Sequence, residues 1–71
     1  MLTMDEYTVI DRIYPMYLEQ GDLIRVQGEV YQVLNINDAA DGWDIVVLDN
    51  YEETRLISVP DNKMVTLVAA D

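Results

Sequence analysis

The chain has 71 residues, 51% of them hydrophobic, and a formal net charge of −10 from 14 acidic and 4 basic residues. It contains no cysteine and no histidine, which excludes disulfides, Cys/His zinc sites and nucleophilic catalysis of the Ser-His-Asp or Cys-His kind. A chain of this length forms one domain and buries only about 60% of the surface that its unfolded form exposes, so it needs an efficient core or self-association.

The first twenty residues fit two different local structures. The stretch Thr3–Glu6 matches a helical capping box, and apolar residues at helical spacing follow it as far as Pro15. The run Tyr7–Ile13 favours a strand instead, because it is β-prone and carries apolar residues at odd positions. We expect the strand, with a short helix as the alternative. In either form, residues 1–20 are expected to pack as a lead-in segment on a domain formed by residues 21–71.

From Gly21 onward, short β-prone runs alternate with turn residues. The predicted strands are Leu23–Val26, Val30–Asn37, Asp44–Asp49, Thr54–Val59 and Met64–Val68. Glycine, proline, asparagine and aspartate separate these runs and favour turns. Short strands spaced about 8–12 residues apart are typical of a sandwich or a barrel, and this chain is too short for two packed sheets. We therefore predict an all-β fold, a small closed barrel of five or six strands with no free sheet edge.

Two of the predicted strands are apolar on both faces. In Val30–Asn37 and Asp44–Asp49, apolar residues occupy both odd and even positions, which point to opposite sides of a strand. Strands of this kind are covered on both faces. We expect the N-terminal segment, or a second copy of the chain, to cover the outer face of the barrel. Residues 69–71 are expected to form a frayed end.

A family resemblance begins at the first predicted hairpin. The sequence follows the pattern G-D-x-I-x-x-x-G-x-x-Y-x-V, which is set by Gly21, Asp22, Ile24, Gly28, Tyr31 and Val33. This pattern resembles the opening of SH3-like small barrels of the translation-factor type, such as the N-terminal domain of elongation factor P. The segment 59–63 (VPDNK) resembles the short turn before the last strand of such barrels. The chain also resembles small phage proteins in its shortness, its acidity and its lack of cysteine.

The resemblance implies an SH3-like β-barrel fold and covers residues 18–34. Elongation factor P carries a basic residue in the loop after its Tyr-x-Val strand, and that residue acts at the ribosome. Here the corresponding loop, residues 38–44, contains no basic residue. An RNA-linked function is therefore not expected to carry over.

The loop NDAADGWD, Asn37–Asp44, carries three aspartates and invites comparison with a calcium-binding loop. Aligned on Gly42, an EF-hand loop would have Ala39 at the third ligand position and Leu48 at the bidentate twelfth position. Two essential ligands are missing, so we interpret the segment as a polar turn and predict no metal ion and no cofactor. Neighbouring acidic pairs such as Glu52–Glu53 point to opposite sides of a strand, and we predict that the protein is not an enzyme.

The charge balance bears on partners and location. Arg12, Arg25, Arg55 and Lys63 are scattered along the sequence and predict no basic cluster. Direct binding to nucleic acid or to an anionic membrane is therefore not expected. No apolar run reaches the ~18 residues of a membrane helix, and the N-terminus lacks the signal-peptide pattern, so we expect a cytoplasmic protein. A basic protein is the natural electrostatic partner, whereas charge that only maintains solubility is the alternative.

Aromatic residues complete the predicted site. We expect Trp43 and Tyr51, with Asp41 and Asp44, to form a protein-binding site, because Tyr and Trp dominate binding hot spots. The predicted function is that of a non-catalytic acidic module that binds another protein or a second copy of itself. The alternative is an acidic mimic of nucleic acid that inhibits a basic DNA- or RNA-binding protein. The apolar run Ile13–Leu18 is expected to pack as core, or else to form a partner surface.

Overall fold

The computed structural model of the protein describes residues 7–70, which form one antiparallel sheet of six strands. The strands are β1 (Tyr7–Ile13), β2 (Leu23–Val26), β3 (Glu29–Ala39), β4 (Gly42–Leu48), β5 (Thr54–Pro60) and β6 (Val65–Ala70). Their order across the sheet is β1-β6-β2-β3-β4-β5. A 3-10 turn, Pro15–Tyr17, is the only helical element of residues 7–70, where no helix is long and apolar enough to span a bilayer. The predicted all-β fold and six-strand count are confirmed.

The predicted closure of the sheet into a barrel is absent. β1 and β5 are the two edges of the sheet, and within residues 7–70 no ladder of hydrogen bonds joins them. β1 pairs with β6 along one of its edges, and its other edge joins no strand within residues 7–70. Both edges carry features that discourage further pairing: β1 has a register shift between Val9 and Asp11, and β5 ends at Pro60.

The inner face of the sheet surrounds a single hydrophobic core. Ile24 on β2, Val33 on β3 and Ile45 on β4 are fully buried, and Val59 on β5 and Val65 on β6 belong to the same cluster. In a flat sheet of this order, β5 and β6 would lie four strand spacings of about 4.8 Å apart, or about 19 Å. Their sharing of one core means that the sheet is rolled about its inner face, in the direction in which strand twist already bends it.

The outer face of the sheet is also apolar, as the sequence predicts, but it is covered less completely. Val68 is buried on this face and Leu23, its partner across the ladder, is half-buried, whereas Leu56 at the β5 edge is 61% exposed. β1 does not lie over this face, because it is itself a strand of the sheet. The N-terminal cover predicted for the outer face is therefore not supplied by residues 7–20.

The N-terminal strand favoured by the sequence is present. β1 spans Tyr7–Ile13 and runs antiparallel to β6, which settles the choice between strand and helix for these residues. The predicted capping box at Thr3–Glu6 lies outside the described residues. The predicted frayed end is wrong for Ala69–Ala70, because these residues pair with Tyr7–Thr8 and extend β6. Pairing with β1 therefore holds residues 69–70 in the sheet.

The hairpin β2–β3 contains the glycines of the sequence pattern. Gln27 and Gly28 have φ of 51° and 83°, and a two-residue hairpin turn with two positive φ angles follows the twist of its strands. Gly21 has φ of 96°, and its N–H donates to the carbonyl of Val33 at 2.8 Å. The hairpin predicted here is therefore present, and each glycine occupies a backbone conformation that other residues adopt only with strain.

The apolar run Ile13–Leu18 divides between core and surface. Pro15 and Leu18 are buried, and Leu18 belongs to the core cluster. Met16 and Tyr17, between them, are mostly exposed. The expectation that this run packs as core is confirmed for Pro15 and Leu18 only, because a 3-10 turn sends successive side chains in different directions.

Gly42, the first residue of β4, lies where the backbones of β4 and β5 approach most closely. It stands opposite Pro60 in the ladder. A Cβ built on it would overlap the carbonyl oxygen of Val59 and lie 2.9 Å from the backbone nitrogen of Asp61. The glycine is therefore required for space. The turn itself is only Ala40–Asp41, since β3 and β4 extend into the octapeptide that the sequence predicts to be a loop.

Replacing Gly42 with alanine is expected to lower the free energy of unfolding by about 1–3 kcal/mol, the usual cost of overpacking. The physical reason is that the added methyl group meets backbone atoms, which cannot rotate away. Urea denaturation followed by circular dichroism measures the change. Ala40→Ser, in the adjacent exposed turn, is the control and should stay within about 0.5 kcal/mol of the parent. Equal denaturation midpoints for Gly42→Ala and the parent would contradict the close approach.

Candidate functional site

The tip of the β3–β4 hairpin brings together three of the four residues predicted to bind a partner. Asp41 lies in the turn, and Trp43 and Asp44 follow it at the start of β4. All three line an open cavity of about 380 Å³, to which Ser58 and Pro60 of β5 also contribute. We call this region, residues 38–44 with the facing residues 58–61, the acidic tip.

Trp43 is held in a fixed orientation at the acidic tip. It pairs with Asp38 on one side and with Val59 on the other, so it stands between two strands. Its indole N–H donates to the carboxylate of Asp61 at 3.2 Å. The side chain is half-buried, which leaves part of the ring in contact with solvent. A rigid aromatic ring of this kind gives contact area to a partner at low cost in conformational entropy.

Several carboxylates lie at the acidic tip near Trp43. Asp44 accepts a hydrogen bond from the hydroxyl of Ser58 at 2.8 Å. Asp38, Asp41 and Asp61 line a second cavity of about 360 Å³ together with Trp43. Across residues 7–70, no group of three acidic side chains is arranged to hold a metal ion. Carboxylates attract the positive side chains of a partner, and Trp43 shares a cavity with three of them, Asp38, Asp41 and Asp61.

Tyr51 lies far from the other predicted residues. It is 70% exposed in the turn that joins β4 to β5, at the end of β4 opposite the acidic tip. β4 has seven residues, which corresponds to about 20 Å. Tyr51 lines a different cavity, of about 300 Å³, with Tyr31 and Arg55. The structure therefore does not bring Tyr51 together with Trp43, Asp41 and Asp44.

Asp49, the last residue of the predicted strand Asp44–Asp49, organises the turn that follows β4 and was not among the predicted site residues. Its buried carboxylate accepts hydrogen bonds from the backbone N–H groups of Tyr51 at 2.8 Å and Glu53 at 2.9 Å. The guanidinium Nε of Arg55 donates to the same carboxylate at 2.6 Å. Glu52, within the turn, has φ of 60°. Asp49 thus holds the β4–β5 turn closed and fixes the start of β5.

These contacts change the acidity of the groups involved. The pKa of Asp49 is lowered, chiefly by the hydrogen bond from Arg55 and next by that from the Glu53 N–H. The same pair raises the pKa of Arg55. The pKa of Tyr31 is raised because its hydroxyl donates to the carboxylate of Glu29 at 2.7 Å and because burial disfavours the phenolate. Each shift has a local structural cause, and none places a free base or acid beside a nucleophile.

Comparisons with protein-family models, with curated proteins and with solved structures find no match to this chain. The functional proposals therefore rest on the geometry and charge of residues 7–70.

Replacing Asp49 with asparagine is expected to lower the melting temperature by several degrees at neutral pH, with a smaller effect in acid. Because folding depresses the pKa of Asp49, its contribution to stability is present above the unfolded value, about 3.9. That contribution is lost as the pH falls through the lower, folded value. Melting curves of the parent and of Asp49→Asn from pH 7 downward should therefore converge below about pH 4.

The control is Asp38→Asn, a substitution that removes the same charge from an exposed position. It should show no such pH-dependent difference from the parent. A melting difference for Asp49→Asn that stays constant down to the lowest pH would contradict the role assigned to the ionised carboxylate.

Proposed function

We propose that the protein is a non-catalytic binding module and that the acidic tip binds a basic segment of another protein. The observation that carries this proposal is a single partly exposed tryptophan, Trp43, which donates a hydrogen bond to Asp61 and shares a cavity with Asp38 and Asp41. Lysine and arginine side chains complement both parts of this surface, since they pair with carboxylates and stack on the indole face.

The overall charge supports a basic partner. A net charge of −10 steers a positively charged segment toward the protein and repels acidic ones. A second copy of the chain, the other partner considered, would carry the same charge and meet repulsion. Direct contact with nucleic acid or with an anionic membrane meets the same electrostatic objection. The absence of cysteine suits a reducing cytoplasm, which is where we place the protein.

A non-catalytic role is supported by the environment of the titrating groups. Asp49 and Tyr31, whose pKa values are shifted, have local hydrogen-bond partners that account for the shifts. Catalytic sites shift pKa values in a cleft next to a nucleophile or a second acid–base group. The chain has neither the histidine nor the cysteine that most such pairs use.

The proposal also concerns the fold family. We place the chain beside SH3-like small barrels of the translation-factor type, and two local features support this. The β2–β3 hairpin has its glycines at positive φ where the family pattern has them. A turn closed by the Lys63 N–H on the carbonyl of Pro60, at 3.1 Å, precedes the last strand, as the resemblance implies.

The nucleic-acid mimic gains no support from the placement of the acidic residues. Its carboxylates would have to form a continuous track on one face. The two acidic turns instead lie at opposite ends of β4, about 20 Å apart, with an apolar strand between them.

Binding of a short synthetic peptide of alternating arginine and alanine, measured by titration calorimetry at low and moderate salt, tests the proposal. The variant Asp41→Asn with Asp44→Asn removes two charges at the acidic tip. It is expected to weaken binding about tenfold, or about 1.4 kcal/mol. The matched control, Glu52→Gln with Glu53→Gln, removes two charges at the opposite turn and should weaken binding about twofold or less.

Equal losses in the two double variants would show attraction to net charge alone and would refute the acidic tip as the binding surface. Failure of the parent to bind the peptide even at low salt would refute the proposed class of partner. Affinity that falls as salt rises, with the larger loss in the tip variant, is the result expected.

A further inference from the structure

Three of the four basic residues of the chain meet around one cavity. Arg12 on β1 and Arg25 on β2 both pair with Thr66 on β6, from opposite sides, so they lie on the same face of the sheet. Lys63 lies in the turn before β6. Arg12, Arg25, Lys63 and Thr66 all line a cavity of about 350 Å³. The prediction that the basic residues form no cluster is wrong. Residues distant in sequence are brought together when β6 inserts between β1 and β2.

The charges around this cavity are uncompensated. In the described part of the chain, ion pairs involve Arg55 alone, which contacts Asp49 and Glu53. No acidic residue in that part lines the cavity, although the chain as a whole contains 14 of them. A protein with a strong negative charge therefore has one concave region whose charged lining residues, within residues 7–70, are all positive. Such a region concentrates anions.

The remaining lining of the cavity is largely apolar. The apolar contributors are Val26, Ile57, Val59, Pro60, Met64 and Val65. Val59 and Val65 belong to the hydrophobic core, whereas Arg12 and Arg25 lie on the opposite face of the sheet, so residues from both faces line the cavity. The cavity exists because the rolled sheet brings β5 near β6 without a ladder to join them. Its volume lies within the range of small-molecule sites, which combine apolar walls with a few convergent polar groups.

We propose that this cavity binds a small organic anion, a molecule that joins a phosphate or carboxylate group to an apolar part. Guanidinium groups hold either anion through paired hydrogen bonds, and Lys63 adds a compact positive charge. A nucleic-acid strand is not the ligand, because the net charge of −10 repels a long polyanion and the cavity admits only a small molecule. This binding is separate from that of the acidic tip.

Nuclear magnetic resonance titration of the full, isotope-labelled chain tests the proposal. The probes are phenyl phosphate, benzoate and the neutral benzyl alcohol. We expect phenyl phosphate or benzoate to cause saturable shifts of the amide signals of Arg12, Arg25, Lys63 and Thr66. Benzyl alcohol should bind about tenfold more weakly or worse, because it lacks the anion. The tighter of the two anionic probes identifies which anionic group the cavity prefers.

Variants distinguish specific binding in the cavity from nonspecific electrostatic attraction of the anionic probes to the protein. Arg25→Gln should weaken the tighter probe about tenfold, and Arg25→Lys should restore most of that loss because it keeps the charge. Glu52→Gln, which changes the net charge by one unit at an exposed position outside the cavity, should leave the affinity within about twofold.

Three results would overturn the proposal. They are no saturable shift with either anionic probe, shifts that map to Asp38–Asp44 or to the β4–β5 turn instead, and a change of affinity for Glu52→Gln as large as that for Arg25→Gln.

Discussion

The branched aliphatic side chains on the inner face of the sheet are covered mainly by one another, together with Leu18 from the segment between β1 and β2. Ile24, Val33, Ile45 and Val47 are fully buried, yet the described chain offers neither a second sheet nor an α-helix to lie over them. Burying each such side chain contributes about 1.5–3 kcal/mol, a large share of the stability of so small a domain. The sheet must therefore roll until its own strands cover its inner face. The acidic tip and the basic cavity both follow from this rolling.

β5 connects the two proposed sites. Residues 58–60 line both the cavity at the acidic tip and the basic cavity, so the position of this strand shapes each of them. Two unrelated constraints fix that position. At one end of β4, Gly42 permits the backbones to approach closely, and at the other end Asp49 closes the turn with three hydrogen bonds. The two cavities that share β5 therefore differ in charge. Carboxylates line the cavity at the acidic tip, and positive side chains that have no ion pair within residues 7–70 line the basic cavity.

Local features of the sequence predicted local structure well. β2 was placed without error, β1 was correctly preferred as a strand, and the glycines at 21 and 28 marked a hairpin, because alternation and turn chemistry act over a few residues. Features that depend on strand pairing at long range were missed. In the described chain, the two edge strands, β1 and β5, are not paired with each other, and the pairing of β6 with both β1 and β2 gathers Arg12 and Arg25. Trp43 and Tyr51 were grouped by residue type, although a strand separates them.

The rolled sheet is tested most directly by nuclear Overhauser contacts between methyl groups. The informative pairs join Ile57 or Val59 on β5 to Val26 on β2 or Val65 on β6, since these residues face one cavity although their strands are not paired. The account predicts cross-peaks between methyl groups of the two sets. A spectrum that contains the expected contacts within the β3–β4–β5 ladder but none between the two sets would contradict it, because a flat sheet holds β5 and β6 about 19 Å apart.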